Sequence, residues 1–333
     1  MTNQSDAYLA DFYGPESRWF SITVGIISVF IVLSNIFFII ITISSKSLRQ
    51  KSSTWILIGF AISDFLHGSA HIFDAVAIWL GSLDDRRICS LAGAFVIFTA
   101  ASSFGFPFLI AADRYYKITI PESGKFSLGK TLFSDRWIIP VIVGWFCLSA
   151  VSNVVLLFND GFGEDPGGFC GARKFTEVHI LLIYEVTMLV FFVSLVLSAV
   201  YYFRLAKWLK QNQQSASGEA MNYTRQIMTV TKIITLIPVF LAWPGVTLTA
   251  LQMILPEMPM WVKRVITVPY FLSSVANPWL TMALVRPFRQ RLLQLLRSST
   301  VSAFESTDRG DVNVSSTHQR RSIIRPKAAV SII

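Results

Sequence analysis

The chain has 333 residues and a formal net charge of +9, yet only 15% of its residues are charged, 53% are hydrophobic and the mean hydropathy is +0.54. A soluble domain carries about a quarter charged residues, so a soluble globular protein is excluded. The basic excess then reads as a membrane-topology signal, and no nucleic-acid partner is expected.

Taken in order, residues 1–18 hold Asp6, Asp11 and Glu16 against Arg18 alone. No basic segment precedes the first apolar run, which predicts an extracellular N-terminus and an uncleaved first span. The sequon Asn3-Gln4-Ser5 falls in this segment as a glycosylation site. Windows without Asp, Glu, Lys or Arg cover 19–45, 88–112, 137–159, 233–256 and 265–285. Each reaches the roughly 20 residues needed to cross about 30 Å of hydrocarbon. Two further apolar windows contain isolated acids: 55–83 holds Asp64 and Asp74, and 178–203 holds Glu185. Seven spans therefore occupy 19–285, joined by short connections at about 45–53, 81–87, 119–136, 160–177, 210–222 and 257–261.

Behind the seventh span, RPFRQRLLQLL alternates basic and apolar residues at helical spacing. This predicts an amphipathic helix over 286–297 along the inner leaflet. The tail, 298–333, is rich in Ser and Thr and is expected to be disordered. The fold expected is an all-α, seven-transmembrane helix bundle with an eighth, amphipathic helix. No internal repeat supports a transporter built from duplicated halves.

With the N-terminus outside, seven Lys and Arg residues (Arg18, Arg86, Arg87, Arg173, Lys174, Lys263, Arg264) lie outside and the rest of the 29 inside. That orientation satisfies the positive-inside rule, and the reverse does not. Cys89 and Cys170 then both face an oxidising compartment, where a disulfide is the natural reading and two free thiols the alternative. Cys147 lies mid-span. Of the four histidines, only His67 and His71 share a helical face and no third ligand joins them, so neither a metalloenzyme nor any other enzyme is expected.

One landmark per span then falls in order. Asn35 lies in the first span and Ala61-Ile62-Ser63-Asp64 in the second. Cys89 precedes Arg114 by 25 residues, and Asp113-Arg114-Tyr115 closes the third span, with Pro121 seven residues beyond the arginine. Trp145 marks the fourth span and Asn277-Pro278 the seventh. On these residues the chain resembles the rhodopsin-like family of G-protein-coupled receptors over about 19–296, in the manner of its peptide receptors. The resemblance implies a plasma-membrane receptor with an extracellular ligand, a heterotrimeric G protein and arrestin as partners. It implies a Cys89–Cys170 disulfide and no cofactor beyond an allosteric sodium ion at Asp64, Ser103, Ser273 and Asn277. Asp113 is expected to restrain Arg114 at rest, with Tyr201 or Tyr202 as the inner tyrosine of the fifth span. Counting back 18 residues from Trp243 reaches Arg225, where the family restrains its arginine with an acid. Arg225 would instead repel Arg114, which predicts signalling without ligand.

Several positions depart from the family. Ala242-Trp243-Pro244-Gly245 stands for Cys-Trp-x-Pro, Thr281 for the tyrosine of Asn-Pro-x-x-Tyr, and Glu122 for the apolar residue after Pro121. Phe271 stands where an opsin has its Schiff-base lysine, and Val96 where an aminergic receptor has its aspartate. The expected pocket comprises His71, Asp74, Val96, Glu185, Trp243 and Tyr270. The outer segments carry eleven carboxylates against seven basic residues. A cationic peptide, bound by Asp74 and Glu185, is the ligand expected; a small non-peptide or chemosensory ligand is the alternative. A transporter or channel is the distant one. Ser331-Ile332-Ile333 places a hydroxyl two residues before a terminal apolar residue, a pattern suited to a PDZ domain.

Overall fold

The computed structural model describes residues 17–80, 86–119, 127–165, 168–173, 178–211, isolated positions from 229 to 247, and 258–307. Its long elements follow the apolar windows. They are α1 (Ser17–Ser44), α3 (Ser52–Leu80), α4 (Arg86–Thr119), α6 (Ile138–Phe158) and α7 (Val178–Gln211), with two short connecting helices, α2 (Lys46–Arg49) and α5 (Leu128–Leu132). After the hairpin β1 (Phe162–Asp165) and β2 (Phe169–Ala172) and after α7 come α8 (Met260–Leu284) and α9 (Arg286–Thr307). The 28 residues of α1 rise about 42 Å at 1.5 Å each, more than a hydrocarbon core needs. Among the described residues, five helices (α1, α3, α4, α6, α7) are long and apolar enough to cross a membrane. The sixth predicted span falls largely outside the described residues. The seventh, α8, carries Lys263 and Arg264 in its first turns and Asn277 further on.

Lipid as solvent explains the outward faces. Leu182, Val186, Leu189 and Phe203 on α7, and Val151 and Phe158 on α6, are exposed. The polar residues turn inward instead: Asn35, Asp64, His71, Asp74, Thr99, Ser102, Ser198 and Asn277 are all buried. Unpaired polar groups are costly in hydrocarbon, so the bundle interior is where they find partners.

The centre of the bundle is α4, which packs on α3, α6, α7 and both hairpin strands. Glycine allows two of these approaches. A Cβ at Gly105 would lie 1.7 Å from Trp145 Cζ2, so only hydrogen admits the indole, whose N–H donates to the Ser102 carbonyl at 2.9 Å. A Cβ at Gly93 would lie 2.6 Å from the Gly171 carbonyl oxygen, and that glycine lets β2 rest on α4. The hairpin is antiparallel, with Phe162 opposite Ala172 and Asp165 opposite Phe169. The sequence reading had only a connection there. Cys89 and Cys170 form a disulfide with Cα atoms 5.2 Å apart, tying β2 to the start of α4.

Span one is stitched to span seven. Asn35 Nδ2 donates to the Ser274 carbonyl at 3.2 Å, Trp279 Nε1 donates to Ser34 Oγ at 2.9 Å, and Phe38 stacks on Phe288 at 5.3 Å. The terminal helix extends further than expected: α9 runs to Thr307, so 298–307 is helical where disorder was expected. No Gly or Pro occurs between Pro287 and Gly310, so the sequence holds no stop signal at 297. By internal contacts the chain divides into Met1–Leu292 and Leu293–Ile333. In the second unit the described part is the end of α9.

Candidate functional site

Beneath the hairpin lies a cavity with about 560 Å³ of empty space, lined by Val96, Ile97, Ala100, Ala101 and Phe104 of α4, Asp165 and Phe169 of the hairpin, Tyr184 and Met188 of α7, and Thr267 and Tyr270 of α8. Most of this wall is apolar or aromatic, which suits a small-molecule site in which a few polar groups fix orientation. Two expected pocket residues, Val96 and Tyr270, are present in the wall.

Three others are placed differently. Asp74 and His71 are wholly buried beside the cavity, and His71 Nδ1 lies 2.9 Å from Asp74 Oδ2. The His71 ring meets Phe271 edge-on at 4.5 Å and Phe169 at 5.8 Å. Asp74 is therefore a partner within the bundle and not a group presented to an incoming ligand. Glu185 is exposed on the outer face of α7, one residue round from the wall residue Tyr184. A one-position shift on a helix turns a side chain by about 100°, enough to exchange lumen for lipid. Trp243 lies outside the described residues. Among the described residues the carboxylate in the wall is Asp165, which in the sequence counts only among the acids of an outer connection.

A second, much smaller cavity lies deeper, lined by Phe60, His67, Ala100, Ser103, Phe104, Pro107, Leu195, Tyr270, Ser273 and Ser274. Its floor is a carboxylate network. Ser103 Oγ and Ser274 Oγ donate to Asp64 Oδ1 at 2.7 and 2.9 Å, and Asn277 Nδ2 donates to Oδ2 at 2.9 Å. Ser273 was expected to join this set but donates to the Tyr270 carbonyl at 2.8 Å; Ser274, one step round the helix, takes its place. His67 Nδ1 lies 3.0 Å from Thr99 Oγ1, and its ring meets Tyr270 at 5.1 Å and His71 at 4.5 Å. Tyr270 lines both cavities, as do Ala100 and Phe104 of α4.

At the inner end of α4 the expected pairing does not form. Asp113 is buried and contacts Lys117 and Ser53, whereas Arg114 is half-buried with no partner among the described residues. Adjacent helical residues do not face each other, but residues four apart do. Tyr201 is the fifth-span tyrosine in contact with span three, its hydroxyl 3.0 Å from that of Tyr116. Tyr115 packs against Tyr201 with ring centroids 5.3 Å apart. Tyr202 is buried on the neighbouring face. Thr281 Oγ1 donates to the Asn277 carbonyl at 2.9 Å, and Pro278 lies inside α8. Asn3, Arg225 and the terminal Ser331, Ile332 and Ile333 lie outside the described residues.

This architecture is matched by known proteins. Residues 34–280 match the family described as "7 transmembrane receptor (rhodopsin family)". The chain belongs to that family, a class of multi-pass plasma-membrane receptors that are not enzymes. Among its relatives is cannabinoid receptor 1 of Xenopus laevis, 28% identical over 153 residues, which are 41% of this chain and 32% of the frog receptor. The match thus spans about a third of that relative's length. The crystal structure of squid rhodopsin superposes with a TM-score of 0.68 over 92% of this chain and 93% of the rhodopsin, at 15% identity. At that identity the likeness concerns the fold.

Proposed function

We propose that this chain is a receptor that converts binding of an extracellular ligand in the outer cavity into nucleotide exchange on a heterotrimeric G protein. The ligand is a small molecule with an apolar body and one cationic or hydrogen-bond-donating group, and Asp165 carries this reading as the carboxylate in a wall whose other described residues are apolar or bear a single hydroxyl. A cationic peptide was the first expectation, but Asp74 is engaged by His71 and Glu185 faces away, so neither carboxylate favours it. The acidic outer segments leave the peptide reading one form, in which a single terminal cationic residue enters the cavity. The frog relative is by name a receptor for cannabinoids, which agrees with an apolar ligand body.

The N-terminus lies outside and bears the Asn3 glycan, since the basic residues concentrate on the opposite side. Arrestin and a PDZ protein are partners of the tail in this reading. Ser298, Ser299, Thr300 and Ser302 would accept phosphates for arrestin, and 331–333 would bind the PDZ groove. The Asp64 network suits a sodium ion. The Asn277 Oδ1 atom is buried without a hydrogen-bond partner, so a further oxygen accompanies the carboxylate, and oxygen donors suit a hard cation.

Screening amine-bearing small molecules and short basic peptides with G-protein sensors tests the ligand class. Asp165→Asn should lower the potency of any active amine about 10-fold or more at unchanged surface expression. Unaltered potency would remove Asp165 from the proposal.

A further inference from the structure

The inner end of α4 places an acid and two cations within one turn, and the acid goes to the more distant cation in sequence. Lys117 Nζ lies 2.7 Å from Asp113 Oδ1, and Ser53 Oγ donates to Asp113 Oδ2 at 2.6 Å. The same ammonium donates to the hydroxyls of Ser52 and Ser53 at the start of α3. Asp113 is 1% exposed and Lys117 32%. One cation thus binds the acid of its own helix and two hydroxyls of the neighbouring one.

We infer that Lys117 is a positioning residue that keeps Arg114 free of Asp113, by holding Asp113 in a clasp with Ser52 and Ser53. The inference rests on the proposed coupling to a G protein through Arg114. Its logic is that of a buried acid with two cations in reach. A buried carboxylate stripped of its cation is costly, and Arg114 is its immediate chain neighbour with a long, flexible side chain. Without Lys117, the guanidinium swings onto Asp113 and is withdrawn from the G protein. With Lys117, Asp113 is fully engaged and the arginine stays available. The family expectation of an acid that quiets its adjacent arginine is therefore inverted here. Removing Asp113 alone releases nothing that was held.

The test uses the full chain, purified and compared at equal amounts of folded, monodisperse receptor. Ligand-free nucleotide exchange on a purified G protein is measured above an Arg114→Ala control. Lys117→Met should lower exchange roughly fivefold, the scale of one charge-assisted contact. Lys117→Arg should preserve it, and Asp113→Asn/Lys117→Met should return it to the wild-type level. Lys117→Gln keeps a donor but not the charge; it should act in the same direction and stands in should Lys117→Met fail to fold. A second readout does not involve the G protein: spin labels on Gln50→Cys and Lys232→Cys in a Cys147→Ser background report the distance between the inner ends of the bundle. Lys117→Met should narrow that distribution toward its shorter component, and Asp113→Asn should cancel the effect. If exchange is absent throughout but the distance shift and its cancellation persist, the coupling reading fails and the clasp stands. Exchange and distances both indifferent to Lys117, or a double variant as quiet as the single one, would overturn the clasp.

Discussion

Asp74 is the sharpest point at which structure and sequence expectation diverge, and replacing it separates the two. Asp74→Ala removes the acceptor of His71 Nδ1 within a site where both side chains are 0% exposed. His71 Nε2 is already buried without a hydrogen-bond partner, so the truncation leaves the whole ring unsatisfied. Losing one hydrogen bond and stranding its buried donor costs about 1–3 kcal/mol. The space left by the carboxyl group adds about 1 kcal/mol. For a bundle of this size, 2–4 °C is lost per kcal/mol, so the melting midpoint in detergent should fall by roughly 4–16 °C. Replacing both partners, as Asp74→Leu/His71→Phe, puts apolar groups among rings that already surround them, Phe169 and Phe271. That double variant should recover most of the loss, with a coupling energy of about 1–3 kcal/mol between the two sites. Melting midpoints and surface delivery of the four proteins measure the cycle. An Asp74→Ala receptor that melts like the wild type but loses ligand potency would show Asp74 to be a ligand contact and refute the internal pair.

Replacing Cys89 or Cys170 opens a loop with a sequence separation of 81. Chain entropy alone assigns that closure about 4–5 kcal/mol, so either Ser variant should reach the surface poorly, and thiol labelling of the unfolded wild type before and after reduction should reveal the bond. Gly105→Ala forces its methyl group into the Trp145 ring; overpacking of this kind costs about 1–3 kcal/mol, and a melting midpoint within experimental scatter of wild type would contradict the packing. Sodium chloride should raise the melting midpoint of the wild type above that in an equal concentration of choline chloride, and Asp64→Asn should abolish the difference.

What could be read from the chain was whatever hydrocarbon makes expensive. A polar or charged residue inside an apolar run stands out, so Asn35, Asp64 and Asn277 were legible as interior groups, and each is buried. Helix phase was less legible. Ser273 and Ser274, or Tyr184 and Glu185, differ by one residue and about 100°, and the residues themselves do not say which one faces the lumen. The hairpin was not legible because its register depends on contacts with α4 and on the disulfide, both remote in sequence; Asp165 was lost with it. The Asp113–Lys117 pair, by contrast, had a signal in the spacing of four residues on one helix.

The two cavities share Ala100, Phe104 and Tyr270 in their walls, which constrains how a ligand could act. Tyr270 lines the outer cavity and the deeper one above Asp64, and its ring also abuts His67. Below it, span seven is held to span one through Asn35 and Ser34, Phe38 stacks on Phe288 of α9, and the tyrosine that would switch at position 281 is a threonine. A ligand that displaces Tyr270 therefore works against an anchored lower helix and alters the lining of the deeper cavity. In the proposed reading that cavity holds an ion at Asp64, Ser103, Ser274 and Asn277. Coupling between two binding sites is reciprocal: the factor by which the ion changes ligand affinity is the factor by which ligand changes ion affinity. Among the described residues both walls include Ala100, Phe104 and Tyr270, and of these Tyr270 also abuts His67, so part of the coupling should pass through it. Tyr270→Ala should bring that factor toward one, and a factor unchanged from the wild type would remove the ring as the link.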